Sequence, residues 1–197
     1  MTLPANPDAS TALPAAADLW KPVLLRAAVA LAFGALTVFW ASPTEAGVGW
    51  AGGLYLLGTG VVLIWSVDKT GFPSGARSGK SLSAAGSLLA GTGAAVGLLS
   101  GSLVFGVLGA LGLGLAAAAE LYLGIRNRGR SVLARDWTAS GVIGLGTAAA
   151  LPFFIGLGPH ALLGVAGGGA IIGGVLWLLA GLTLRHDARR VSQEAVN

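Results

Sequence analysis

Cysteine is absent from this chain of 197 residues, methionine occurs once, and charge is scarce: Asp, Glu, Lys and Arg together make up 10%. Without cysteine there is no disulfide framework, no thiolate chemistry and no Cys-based metal site. The two histidines, His160 and His186, lie too far apart for metal-ligand spacing. No nucleophile has a base at a useful spacing, and no two carboxylates are placed for acid–base work. The residues therefore predict no catalytic group, no metal and no cofactor. The shortage of charge also excludes an ordinary soluble domain, in which about 25% of residues are charged.

What the chain has instead is apolar length. It is 54% hydrophobic, with a mean hydropathy of +0.79. Too few polar groups remain to cover a water-facing surface, so the lipid bilayer is its expected solvent and first partner. The apolar runs are about twenty residues long and continuous, which suits helices rather than the short alternating strands of a barrel. The formal charge of +4 and pI of 10.1 would suggest nucleic acid in a soluble protein. Here the basic residues lie in loops between apolar runs, where membrane orientation explains them, and no nucleic acid partner is expected.

The fold class read from these runs is all-α, an integral membrane bundle of six transmembrane helices built from three tandem helical hairpins. Residues 1–19, rich in Pro, Ala, Ser and Asp, read as a disordered cytoplasmic tail. Residues 20–186 form the membrane domain, with hairpins at about 20–66, 82–125 and 137–184, and 187–197 read as a second cytoplasmic tail. The spans are predicted at Lys21 to Trp40, Gly47 to Ser66, Leu82 to Ser100, Leu103 to Ile125, Trp137 to Gly156 and His160 to Leu184. Breaks after odd spans are tight and those after even spans are longer and charged. An internal repeat accompanies this rhythm. Offsets of 57 and 55 align Gly34 with Gly91 and Gly146, and Gly52 with Gly109 and Gly164.

All twelve Lys and Arg residues fall on one side of the six-span arrangement, and the opposite loops carry only Glu45 and His160. The positive-inside rule then places both termini in the cytoplasm, and the expected location is a bacterial inner membrane. Trp20, Trp65 and Trp137 are expected at the cytoplasmic interface, Trp40 and Trp50 at the outer one.

Most of the 33 glycines lie inside predicted spans, where small residues let helix backbones approach. Gly93, Gly97 and Gly101 form a doubled GxxxG stripe, and Gly164 with Gly168 repeats the spacing. Close packing within the chain is the plain reading, and a homo-oligomer or contact with other membrane proteins is the alternative. Pro152 is expected to kink the fifth span. Ser78 to Ser81 superficially matches the end of a phosphate-binding loop, but no nucleotide-binding domain surrounds it.

Two charges stand inside apolar runs. Glu120 and Arg26 sit at similar depth, each about six residues from a span end, and a lone charge there is costly. An intramembrane ion pair between them would relieve both; independent snorkelling is the simpler possibility. Arg126, Arg128, Arg130 and Arg135 make a basic patch facing the lipid headgroups. Thr37, Thr59, Thr92, Ser140 and Thr147 are the polar candidates for a path through the bundle.

The first hairpin resembles the HdeD-like acid-resistance membrane proteins. The residues that carry this are Trp20, Arg26, Phe33-Gly34, Trp40 through Pro43-Thr44, and then Gly52, Tyr55 and Gly58. Glu120, the linker Arg126 to Arg130 and Trp137 extend the similarity. The second hairpin departs most, with Ser100-Gly101 where the first has Ser42-Pro43. The resemblance implies a six-span bacterial membrane protein tied in some members to acid stress, and it transfers no catalytic residue. The expected role is a non-enzymatic membrane protein of envelope or acid-stress tolerance that acts by packing or partner binding. The alternatives are a small channel or transporter, or an accessory subunit of a larger membrane complex.

Overall fold

A computed structural model describes residues 18–70, 72 and 76–194. Six helices are long and apolar enough to cross a membrane: α1 (Trp20–Phe39), α2 (Glu45–Val67), α3 (Arg77–Leu99), α4 (Ser102–Arg126), α5 (Ala134–Phe154) and α6 (Pro159–Glu194). The protein is an all-α, multi-pass membrane protein. Apolar side chains such as Phe39, Leu98 and Phe153 stand outward, where a soluble protein would place charge.

Helix ends follow local chemistry. The Thr44 hydroxyl accepts from the Gly47 N–H at 3.1 Å and caps α2. Glu45 adds a carboxylate to the first turn of α2 and accepts from the Ser102 N–H at 2.6 Å, so it serves the start of α4 as well. The α3–α4 turn needs left-handed backbone, with φ of +53° at Ser100 and +101° at Gly101. Residues Phe105–Gly109 form a π-turn within α4, and α5 tightens into a 3-10 turn (Ile155–Leu157) just beyond Pro152. Two boundaries differ from expectation. Helix α3 starts at Arg77, so the linker is shorter than predicted, and Ser78 to Ser81 of the phosphate-loop lookalike are helical. Helix α6 continues to Glu194 through the expected tail. Its 36 residues make about 54 Å, well beyond a hydrocarbon core of about 30 Å, so its basic end projects from the bilayer. The N-terminal tail through residue 17 lies outside the described residues.

The six helices form a closed ring in chain order. The most intimate seams are not within the tight hairpins. They join α2 to α3, α4 to α5, and α6 back to α1. Glycine makes these seams. A methyl carbon on Gly60 would lie 2.5 Å from the Gly86 carbonyl oxygen, and one on Gly141 would lie 2.8 Å from that of Ala117. Gly34 faces Ile171 and Gly167 across the third seam.

Burial corrects the register of the repeat. In the even helices buried positions recur at 57-residue steps, as in Val48, Phe105 and Leu162. In the odd helices the steps are 59 and 55, as in Val23, Leu82 and Trp137, or Gly34, Gly93 and Ala148. The expected alignment of Gly34 with Gly91 and Gly146, and of Gly109 with Gly164, is therefore two residues off. Two residues turn a helix by about 200°. Gly91, Gly146 and Gly164 accordingly face outward, and neither they nor Gly97 and Gly168 would place an added methyl within 4 Å of a neighbour. Of the GxxxG stripe, Gly93 packs hardest, against the Gly53 carbonyl; Gly101 serves the turn.

Candidate functional site: a polar layer and cavity on the bundle axis

The corrected register sorts the interior into layers with one residue from each helix. One layer comprises Arg26, Leu63, Ala85, Glu120, Ser140 and Trp177. Helices α1 and α4 stand opposite each other in the ring, so Arg26 and Glu120 reach across the bundle axis. Arg26 Nη2 lies 2.5 Å from Glu120 Oε1, with side-chain exposures of only 14% and 2%. The Arg26 guanidinium rests 4.4 Å from the Trp177 ring centroid. The Trp177 indole N–H donates to Ser140 Oγ at 3.1 Å, and Arg26 Nη2 donates weakly to the same oxygen at 3.5 Å. Four helices thus meet in one polar cluster.

The next layer toward the middle of the bundle is Ala30, Thr59, Leu89, Ala116, Gly144 and Gly173. Five of the six are small, and a cavity of about 50 Å³ opens there against Arg26, Tyr55 and Glu120. All six helices contribute to its wall. Thr59, only 5% exposed, has a hydroxyl without any hydrogen-bond partner, although it lines this cavity. Tyr55 is held there by stacking on Phe33, with centroids 4.3 Å apart and planes 9° off parallel.

Two different boundaries close the cavity. Beyond it, away from the basic residues, Val48, Val96, Phe105, Leu151 and Leu162 are all fully buried and form an apolar plug. On the basic side, a second cavity of about 20 Å³ lies between Pro22, Arg26, Ser66, Trp137 and Trp177. Arg26 and Trp177 line both cavities, so they form the partition between them.

Among the five polar candidates, Thr59, Ser140 and Thr147 line the cavity. Thr37 instead donates to the Gly34 carbonyl and packs against Gly167, while Thr92 packs against Gly112 in the α3–α4 seam. The basic residues Arg126, Arg128, Arg130 and Arg135 are exposed at one end, with Arg126 donating to Tyr122 Oη at 2.8 Å. Trp137 lies in the first turn of α5 but faces the bundle rather than the lipid: it is 2% exposed and stacks on Phe72. Sequence reasoning missed Trp177. The signal available was its place 57 residues after Glu120, in the same run of α6 that Glu120 occupies in α4. Among the described residues, no group of His, Asp and Glu is placed to hold a metal ion.

Comparison with protein-family models, with curated proteins and with solved structures finds no match for the chain.

Proposed function

We propose that this protein is a non-enzymatic carrier that binds a small polar solute at the centre of its six-helix bundle, with the basic end facing the cytoplasm of a bacterial cell. The observation that carries this reading is the asymmetry of the polar layer. The repeat fills equivalent positions with Leu63 and Ala85 in one direction and with Ser140 and Trp177 in another. Apolar filling of this layer is therefore compatible with the fold. A buried ion pair is weak evidence for stability, since apolar replacement of both partners is often neutral or better. A charge pair retained beside a cavity and an unpartnered hydroxyl fits a binding role better than a packing role.

The closed apolar plug argues for a carrier over an open channel, because a channel needs a continuous wet path. The π-turn at Phe105–Gly109 lies in that plug and begins with the one large aromatic that fills it, and such turns recur at functional sites. Membership of the HdeD-like proteins and a contribution to acid tolerance belong to the same proposal. They are supported by the tandem repeat and by Arg26, Glu120, Arg126 to Arg130 and Trp137.

The test is solute flux into proteoliposomes, read by light scattering for small solutes such as urea, acetamide and formate. The wild type should accelerate at least one of them. The double variant Arg26→Ala with Glu120→Leu should fold and lose that flux. A double variant that transports like the wild type, or a wild type inert to every solute, would overturn the reading.

A further inference from the structure

The charge balance of the cavity restricts what it can admit. Its ionisable wall residues are Arg26 from α1, Tyr55 from α2 and Glu120 from α4; α3, α5 and α6 face it with Leu89, with Ser140 and Thr147, and with Trp177. Arg26 and Glu120 cancel each other at 2.5 Å. A net charge in this low-dielectric interior is strongly unfavourable. An anion added to the intact pair would leave the site at minus one and would meet the Glu120 carboxylate beside Arg26 Nη2. Proton uptake by Glu120 reverses both conditions. The carboxyl group becomes neutral, the pair dissolves, and Arg26 offers its donor edge to a new acceptor.

We infer that the site takes a small monovalent anion together with one proton: Glu120 holds the proton and Arg26 holds the anion. The ligand class is a carboxylate or oxyanion of roughly three or four heavy atoms, since a water needs about 10–15 Å³ of such space and the cavity offers about 50 Å³. This deepens the carrier reading and rests on it.

Further donors are already in position. The Thr59 hydroxyl has no partner and lines the space. Ser140 Oγ accepts from Trp177 and Arg26, which leaves its own O–H free to donate. Tyr55 adds a third hydroxyl. A planar oxyanion in contact with a guanidinium uses two acceptor atoms, and these hydroxyls serve its remaining lone pairs. Entry is from the basic end, through the cavity of about 20 Å³ that shares Arg26 and Trp177. The Phe105 layer closes the other direction.

The experiment uses the full chain in detergent with formate and nitrate as anionic probes and formamide as the neutral isostere. Calorimetry reads binding, and a dye in weakly buffered solution reads proton uptake. Formate binding should take up about one proton per anion, and its affinity should fall about tenfold for each pH unit over the range where that uptake is seen. Glu120→Gln should bind formate without proton uptake and with an affinity independent of pH. Arg26→Gln should lose formate binding while its circular dichroism shows a folded helical protein. Formamide binding equal to that of formate, or formate binding without proton uptake, would overturn the proton–anion assignment and leave the carrier reading standing. If no probe binds and no solute crosses proteoliposomes, both fall.

Discussion

The polar layer and the apolar plug occupy the same ring of six helices, yet the repeat treats them differently. In the plug, Val48, Phe105 and Leu162 differ in size alone, and Val96 and Leu151 answer to Thr37, whose hydroxyl donates to the Gly34 carbonyl of its own helix. In the polar layer, equivalent positions diverge completely: Leu63 becomes Glu120 and then Trp177, while Arg26 becomes Ala85 and then Ser140. The lesson is that the repeat supplies a scaffold with a pseudo-threefold interior, and a function needs that symmetry broken. An ion pair across the axis requires unlike residues at positions that the scaffold makes alike.

The sharpest way to break this comparison is to make the polar layer like the plug. Glu120→Leu alone strands the Arg26 charge and should cost about 3–5 kcal/mol, while adding Arg26→Ala should recover most of that loss. Thermal or denaturant unfolding in detergent checks both. A double variant as unstable as the single would show that the pair is structural. Phe105→Ala acts on the other layer. It should cost about 3–5 kcal/mol and should also open the sealed end, seen as a solute leak in proteoliposomes.

Smaller effects sharpen the register. Gly93→Ala, against the Gly53 carbonyl, should cost about 1–3 kcal/mol, and Gly91→Ala should cost nothing measurable, although the two residues stand only two positions apart in α3. Equal losses would restore the alignment read from sequence. The smallest expected change has the opposite sign. Thr59→Val removes an unpartnered hydroxyl at constant shape and should stabilise the protein by about 1 kcal/mol while weakening solute binding.

Much of the fold was legible in the chain itself. Six spans with nearly correct ends follow from apolar runs bounded by Thr44, Ser100-Gly101 and Gly158-Pro159. The depths of Arg26 and Glu120 follow from counting residues to the span ends. Gly91 was misread because, in a chain this rich in Gly and Ala, a two-residue slip of the alignment costs no matches but rotates every side chain to the far face; Trp137 was misread because an aromatic at a span end fits a lipid-facing belt and a bundle interior equally well. The helical continuation of α6 to Glu194 was missed because charge was taken as a sign of a frayed tail, where it marks only the departure from lipid.

Composition alone determined the solvent and the secondary structure, since a chain with so little charge must bury its backbone bonds within helices. Charge placement determined that the basic residues share one end. Only the tertiary structure decided that α1 faces α4, that Trp177 and Ser140 join the ion pair, and that a layer of small residues leaves room beside it. Those facts depend on the order of helices around the ring and on rotations of a few tens of degrees, which glycine contacts between distant segments set and no local run of residues encodes.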